Sequence, residues 1–197
     1  SMLENAGMPV KINMHEIMNI KANHLPQTKN TVLGIVRNLP QQYKKSVDFQ
    51  ALQQASVLHD IGKSLIPENV VGKNGKLNPE ELKKMQMHSE LGYELLKDSK
   101  LPDKTKELIR NHHQNAFKTG YPEVNETYVS DINNQIRHVA DVYSALRENR
   151  VYKPAMTKNE ALAILHGEMK KGNIHPHVFK ALVDYANEAD SALKSAA

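Results

Sequence analysis

The chain has 197 residues, enough for one domain with a sizeable core. With no cysteine, disulfides, thiolate zinc sites and cysteine nucleophiles are excluded, and any metal must be held by histidine, carboxylate, carbonyl or water. Lys+Arg 26 against Asp+Glu 22 gives a net charge of +4 without a dense basic tract, and aromatic residues are only 5 % with no tryptophan; duplex nucleic acid is not expected as a partner, whereas a small phosphorylated ligand suits the charge.

Apolar residues recur at three and four spacing and alternation is scarce, which predicts an all-α domain. The expected helices cover 11–22, 26–39, 48–61, 79–97, 102–114, 131–149, 157–171 and 176–194. Residues 1–22 form a methionine-rich N-terminal helical extension in this reading, and 23–197 form the main domain. The clearest helix start is Asn78-Pro79-Glu80-Glu81, with Asn78 as cap, Pro79 at the first position and Glu81 closing a capping box. No apolar run approaches the roughly 20 residues that span a bilayer, and no secretory layout opens the chain, so a cytoplasmic protein is expected.

The ten histidines are the informative residues, because several fall on apolar helical faces. At the end of the helix over 48–61, Phe49, Leu52 and Ser56 lie on a face that His59 extends, and Asp60 follows. On 79–97, Leu82, Met85, Leu91 and Leu95 form a stripe with His88 in its middle. Leu108 and Ile109 each have a histidine one turn later, His112 and His113. Asp141 sits among Val139, Ala140, Val142 and Tyr143. Each alone fits a local hydrogen bond. Together, six inward polar groups from four helices have a simpler common cause, a metal cluster: cations neutralise both aspartates and occupy the imidazole lone pairs. More than four such ligands suggest at least two ions, with Asp60 able to bridge them. Gly62 is read as letting the chain leave its helix in a conformation other residues resist, which places Lys63 beside the ligands to meet a phosphate.

HD at 59–60, a lone histidine at 88, HH at 112–113 and VAD ending at 141 resemble the HD superfamily of metal-dependent phosphohydrolases. The stretches LHDIGKSLIPENVVGKNGKLNPEELKKMQMHSELGYELL, HHQNAFKTGYP and IRHVADVYSALRENRVYKP narrow the resemblance to the HD-GYP subgroup. It implies a helical bundle around a binuclear metal site, iron or manganese first and zinc, nickel or magnesium as alternatives. It also implies hydrolysis of a cyclic dinucleotide, cyclic di-GMP foremost, to linear dinucleotide or GMP. By the resemblance, His59, Asp60, His88, His112, His113 and Asp141 match metal ligands, with Asp60 and Lys63 the catalytic pair. Lys63, Arg150 and Lys153 match residues that contact substrate phosphates. Gly120, Tyr121 and Pro122 match the eponymous loop, linked to substrate-site shape and to recognition of a signalling protein partner. The family's first ligand histidine falls at His24, or at Gln27 in an ungapped register. Ile20 or Asn23 stands where three-metal members carry a glutamate, so two ions are expected.

The chain also departs from the family. Gln114, Phe117 and Lys118 stand where an acid and then Asp-Gly are usual, EVNETYVSDINN replaces a glycine-rich segment, and His175-Pro176 replaces Asp-Pro. These changes keep two further readings open: a catalytically weak sensor or adaptor that binds nucleotide or protein, and an HD phosphohydrolase acting on another nucleotide phosphodiester. A homodimer is also expected. His15, His138, His166, His175 and His177 read as surface or packing residues.

Overall fold

The computed structural model describes residues 25–148 and 154–195. The expected helix over 11–22, the extension 1–22, and His15, His24, Arg150 and Lys153 lie outside the described residues. Ten α-helices and one 3-10 helix follow one another among the described residues: α1 (Leu25–Asn38), α2 (Gln41–Lys44), α3 (Phe49–Leu58), the 3-10 helix (Ile61–Leu65), α4 (Glu68–Val71), α5 (Pro79–Gln86), α6 (His88–Leu96), α7 (Asp103–Arg110), α8 (Ile132–Arg147), α9 (Lys158–Lys170) and α10 (Pro176–Ser195). An isolated bridge between His113 and Tyr121 is the one β-type contact among them.

The main core forms where α1 packs against α10, α8 and α3. Val32 and Ile35 of α1 meet Leu52, Ile136, Val139, Leu165, Val178 and Leu182, all essentially inaccessible. Gly34 is required by a close approach: a Cβ there would lie 2.1 Å from the ring of Tyr185, so the glycine admits α10 onto α1. A smaller cluster of Leu65, Ile66, Val70 and Leu91 joins the 3-10 helix to α6.

Local chemistry sets the helix starts. The Asn78–Glu81 capping box forms as expected, with Pro79 in the first turn. Thr157 and Glu160 make a second box at α9. Asp131 accepts from the N–H groups of Asn133 and Asn134 at the start of α8, and Asn133 in turn accepts from Asp48 N at 2.8 Å, which ties the starts of α8 and α3 together.

Three sequence expectations fail. The helix over 79–97 is interrupted at Met87. Leu82 and Leu95, expected in the buried stripe, are 47 % and 41 % exposed, while Leu91 stays buried; Phe49, expected on the inward face with Leu52, is likewise exposed. The helix over 102–114 ends at Arg110, leaving His112 and His113 in the turn beyond it. Likewise α3 stops at Leu58, and Asp60 (φ −93°, ψ 4°) opens the 3-10 helix. The last two changes share a physical reason. Neighbouring residues of an α-helix point about 100° apart and cannot face one target, whereas outside the helix the His112 and His113 rings come to 4.0 Å.

Candidate metal centre

The six polar residues of the cluster come from the ends or the inner faces of four elements. His59 and Asp60 follow α3, His88 begins α6, His112 and His113 follow α7, and Asp141 lies on α8. His59, His88 and His112 are at most 1 % exposed, Asp60 4 % and Asp141 7 %. The 3-10 helix and α6 are drawn together by Gly62. It does not adopt the left-handed conformation expected of it, since among the described glycines only Gly75 and Gly172 have positive φ. Its reason is proximity: a Cβ would lie 1.9 Å from His88 O and 2.5 Å from Gly92 N. Only a residue without a side chain lets the backbone carrying Asp60 lie against the backbone carrying His88.

Three imidazoles are oriented by the same device. The Nδ1 atoms of His59, His88 and His112 meet the carbonyl oxygens of Ser56 (3.2 Å), Met85 (2.6 Å) and Ile109 (2.7 Å), each three residues earlier. A carbonyl only accepts, so Nδ1 carries the proton and Nε2 turns a lone pair inward. This is the tautomer a metal ligand needs, fixed by its outer hydrogen bond. His88 Nε2 lies 3.2 Å from His112 Nε2 and 3.2 Å from His113 Nε2. Burial and the neighbouring imidazoles hold His112 well below the usual histidine range, and burial brings His113 to about 3, so neither ring takes a second proton at neutral pH. Lone pairs held face to face in a buried site call for a cation, and one ring nitrogen from each of His88, His112 and His113 falls within 4.8 Å of the others. The donor set therefore fits a divalent metal.

Asp60 joins two sides of the cluster. Its Oδ1 faces His88 Nε2 at 3.3 Å and His112 Nε2 at 3.9 Å, while Oδ2 faces His59 Nε2 at 3.4 Å. Asp141 completes the His59 side, with Oδ1 3.5 Å from His59 Nε2 and Oδ2 3.7 Å from His113 Nδ1. Lys63 Nζ donates to Asp60 Oδ2 at 2.7 Å. Burial would raise the Asp60 carboxyl, but Lys63 and His59 outweigh it and keep the group well below the usual carboxylate range. With its side chain 27 % exposed, Lys63 also reaches the solvent side of the cluster.

The Gly120-Tyr121-Pro122 loop closes over His113. The Tyr121 ring stacks on His113 at 4.4 Å, Tyr121-Pro122 is a cis peptide, and burial raises the phenol's pKa so that it stays a donor. A Cβ at Gly120 would lie 2.0 Å from His113 O. Gln114, noted only as a departure from the family, holds this loop: it is fully buried, donates to Pro122 O at 2.6 Å and accepts from Gly120 N at 3.2 Å. Lys118 stands where glycine is usual and keeps a left-handed turn, φ 59°. Asn115 Oδ1 closes that turn by accepting from Phe117 N at 3.0 Å.

Sequence reasoning missed Arg137, which is fully buried with Nη2 3.7 Å from Asp141 Oδ1. The signal was available: an arginine four residues before Asp141 and so on the same helical face as that acid. The carbonyls that orient the imidazoles had no signal in side-chain identity. His138, expected as a surface or packing residue, packs beside the cluster with its Nδ1 buried.

Fold and cluster define an all-helical histidine–aspartate domain. The chain belongs to the HD domain family, whose sequence model matches residues 13–178, and with its motif series through Gly120-Tyr121-Pro122 to the HD-GYP subgroup. It is similar to 3'3'-cGAMP-specific phosphodiesterase 1 of Vibrio cholerae, 29 % identical over 177 residues, covering 89 % of this chain and 41 % of that protein. It is also similar to the cyclic di-GMP phosphodiesterase response regulator RpfG of Xanthomonas campestris, 35 % identical over 123 residues, covering 61 % of this chain and 32 % of that one. The chain thus spans less than half the length of these curated relatives. Among solved structures, the HD domain of L. monocytogenes phosphodiesterase PgpH in complex with cyclic-di-AMP superposes with a TM-score of 0.59 at 18 % identity, covering 86 % of this chain and 90 % of that one. Bd1817, an HDG"Y"P protein from Bdellovibrio bacteriovorus, superposes at 0.61 with 21 % identity, covering 82 % and 50 %. At these identities the likeness shows the fold. No helix among the described residues is long and apolar enough to cross a membrane.

Proposed function

We propose that this domain is a metal-dependent phosphodiesterase that hydrolyses a cyclic dinucleotide, with cyclic di-GMP the first candidate and 3'3'-cGAMP the second, as the names of the relatives suggest. The observation that carries the reading is Asp60, a buried carboxylate whose two oxygens face two different sets of inward imidazoles. His88, His112 and His113 with Asp60 would hold one divalent ion, and His59, Asp60 and Asp141 the other, iron or manganese in first place. His24, Arg150 and Lys153 keep their proposed roles as ligand and phosphate contacts. Bound ions would supply Lewis acidity and an activated water for in-line attack on phosphorus.

The chain's own residues do the rest. The carbonyls of Ser56, Met85 and Ile109 hold three imidazoles in the ligating tautomer. Asp60, which faces His59 through one oxygen and His88 and His112 through the other, would help to hold both ions and to orient the attacking water. Lys63, beside Asp60 and part-exposed on the solvent side of the cluster, would meet charge developing on a phosphate oxygen. Tyr121 lies flat on His113, where it shapes the side on which a base would enter. Cytoplasmic residence, a homodimer and a protein partner at the Gly120–Pro122 loop belong to the same proposal.

A second reading, a weakly active sensor or adaptor, draws on the altered loop: Phe117 at its tip is 58 % exposed, Lys118 replaces a glycine, and a buried glutamine replaces an acid. One assay separates the two. Protein loaded with Mn2+ or, without oxygen, Fe2+ is given bis(p-nitrophenyl) phosphate, cyclic di-GMP, 3'3'-cGAMP and cyclic di-AMP, with His59→Ala and Asp60→Ala as controls. Turnover of a cyclic dinucleotide that both variants lose supports the phosphodiesterase. Full metal occupancy with binding but no turnover supports the adaptor, and turnover of other nucleotides alone moves the assignment to a different phosphohydrolase substrate.

A further inference from the structure

Arg137 is the largest fully buried side chain among the described residues. A guanidinium presents five donors in a planar fork, yet none of its three nitrogens has a hydrogen-bond partner among the described residues. The acid it faces, Asp141, is one turn along α8, with Nη2 3.7 Å from Oδ1, beyond hydrogen-bond length. An under-satisfied buried cation is costly, so its position needs a cause.

The cause lies in how charge is divided around the cluster. Asp141 Oδ1 is also the oxygen that faces His59 Nε2, at 3.5 Å. Lys63 sits on Asp60 Oδ2, the oxygen turned to His59, and not on Oδ1, which is turned to His88 and His112. Both cations therefore stand on one side of the cluster. The two differ in freedom: the Lys63 side chain is 27 % exposed on a flexible stem, whereas Arg137 is at 0 % and has nowhere to withdraw. A divalent ion on Asp141 would face the guanidinium across a shared oxygen, where little water screens the repulsion.

We propose that Arg137 makes the two metal positions unequal: its fixed charge weakens divalent-cation binding between His59, Asp60 and Asp141, and leaves the position among His88, His112, His113 and Asp60 as the tight one. The inference rests on the metal-centre reading and deepens it. Arg137 is a positioning residue, since it acts through Asp141 and touches no reacting atom. The weak position is then the one whose occupancy follows cellular metal supply, so one chain would pass between a singly and a doubly loaded form.

The test is a calorimetric titration of chelated protein with Mn2+, with bound metal counted after desalting. The wild-type chain is expected to take one tight equivalent and a second at least about 100-fold weaker, a gap the Coulomb repulsion of buried like charges readily supplies. Arg137→Met, which keeps side-chain length and removes charge, should tighten the second equivalent at least about tenfold and leave the first within about threefold. Arg137→Lys, which keeps the charge, should stay near wild type. His112→Ala should remove the tight equivalent and Asp141→Asn the weak one. Two equal equivalents in the wild type, or a second equivalent in Arg137→Met no tighter than before, would overturn this inference alone. Folded wild-type protein that takes up no metal would overturn it together with the metal centre. Should Arg137→Met fail to fold, the wild-type titration still decides, because equal affinities there exclude the asymmetry.

Discussion

The two sides of the cluster are built on different principles. On the His88, His112 and His113 side the groups are imidazoles, two of them locked by carbonyls three residues back, and the Gly120-Tyr121-Pro122 loop braces the third from behind. On the His59, Asp60 and Asp141 side two carboxylates are already countered by Lys63 and Arg137. One side presents lone pairs in search of a cation, and the other holds charge already largely balanced. The lesson is that ligand identity alone does not make two positions equivalent; the charges behind the ligands set how strongly each one draws an ion.

The strongest way to break the comparison is at the residue both sides share. Asp60→Ala should cost phosphodiesterase turnover more than the roughly 100-fold typical of losing an outer partner, measured as kcat/KM on the preferred cyclic dinucleotide. It should also lower metal stoichiometry. Next is the joint between the sides. Gly62→Ala sets a Cβ 1.9 Å from His88 O, so the 3-10 helix and α6 must part; a loss of about 3 kcal/mol in denaturant unfolding is expected, accompanied by weaker metal uptake. Gln114→Ala acts on one side only. It leaves Pro122 O and Gly120 N without their partner and should cost about 2 kcal/mol, with faster proteolysis between 115 and 120 and little change in metal held through His59.

The finest separation is by acid, where the sides respond with opposite sign. In metal-free protein, burial keeps His112 and His113 from taking protons that the unfolded chain accepts, so these rings withdraw stability as pH falls from about 6.5 towards the folded value near 3 for His113. His59 runs the other way. Burial and Arg137 oppose its protonation, but Asp60 and Asp141 outweigh them and raise its pKa. Its contribution is therefore fully present below about 6.5 and lost as pH rises through the raised folded value. Thermal melts of chelated protein between pH 4 and 8 should show a flatter acid limb for His113→Asn, and for His59→Asn a loss of stability that is constant below about 6.5 and shrinks as pH rises above it. Melts that shift in parallel for both variants would contradict the assignment of charge to the two sides.

Much of this was legible before any tertiary information. Helical periodicity, the Asn78 capping box and inward histidines on apolar faces follow from local rules that depend on residue type and spacing. The motif series from His59 to Asp141 carried the family. What did not transfer was environment. Leu82 and Leu95 obey the helical period yet are exposed, because period alone does not say how far a packed neighbour covers a face. Gly62 reads as a turn glycine, but the contact that demands it is with a backbone 26 and 30 positions away, at His88 and Gly92. Lys63 and Arg137 are ordinary cations in a string of letters, and their roles come from the acids set beside them.

The amino-acid order by itself determined an all-helical chain with an inward set of imidazoles and carboxylates, because helix formation and amphipathic burial act over a few neighbouring residues. Only the tertiary structure decided which imidazole nitrogen turns inward, which carboxylate oxygen faces which ring, and on which side of the cluster the buried positive charge falls. Those are electrostatic facts that act between residues distant in the chain, and in a low-dielectric interior their size depends on separations of a few ångströms that no local pattern records.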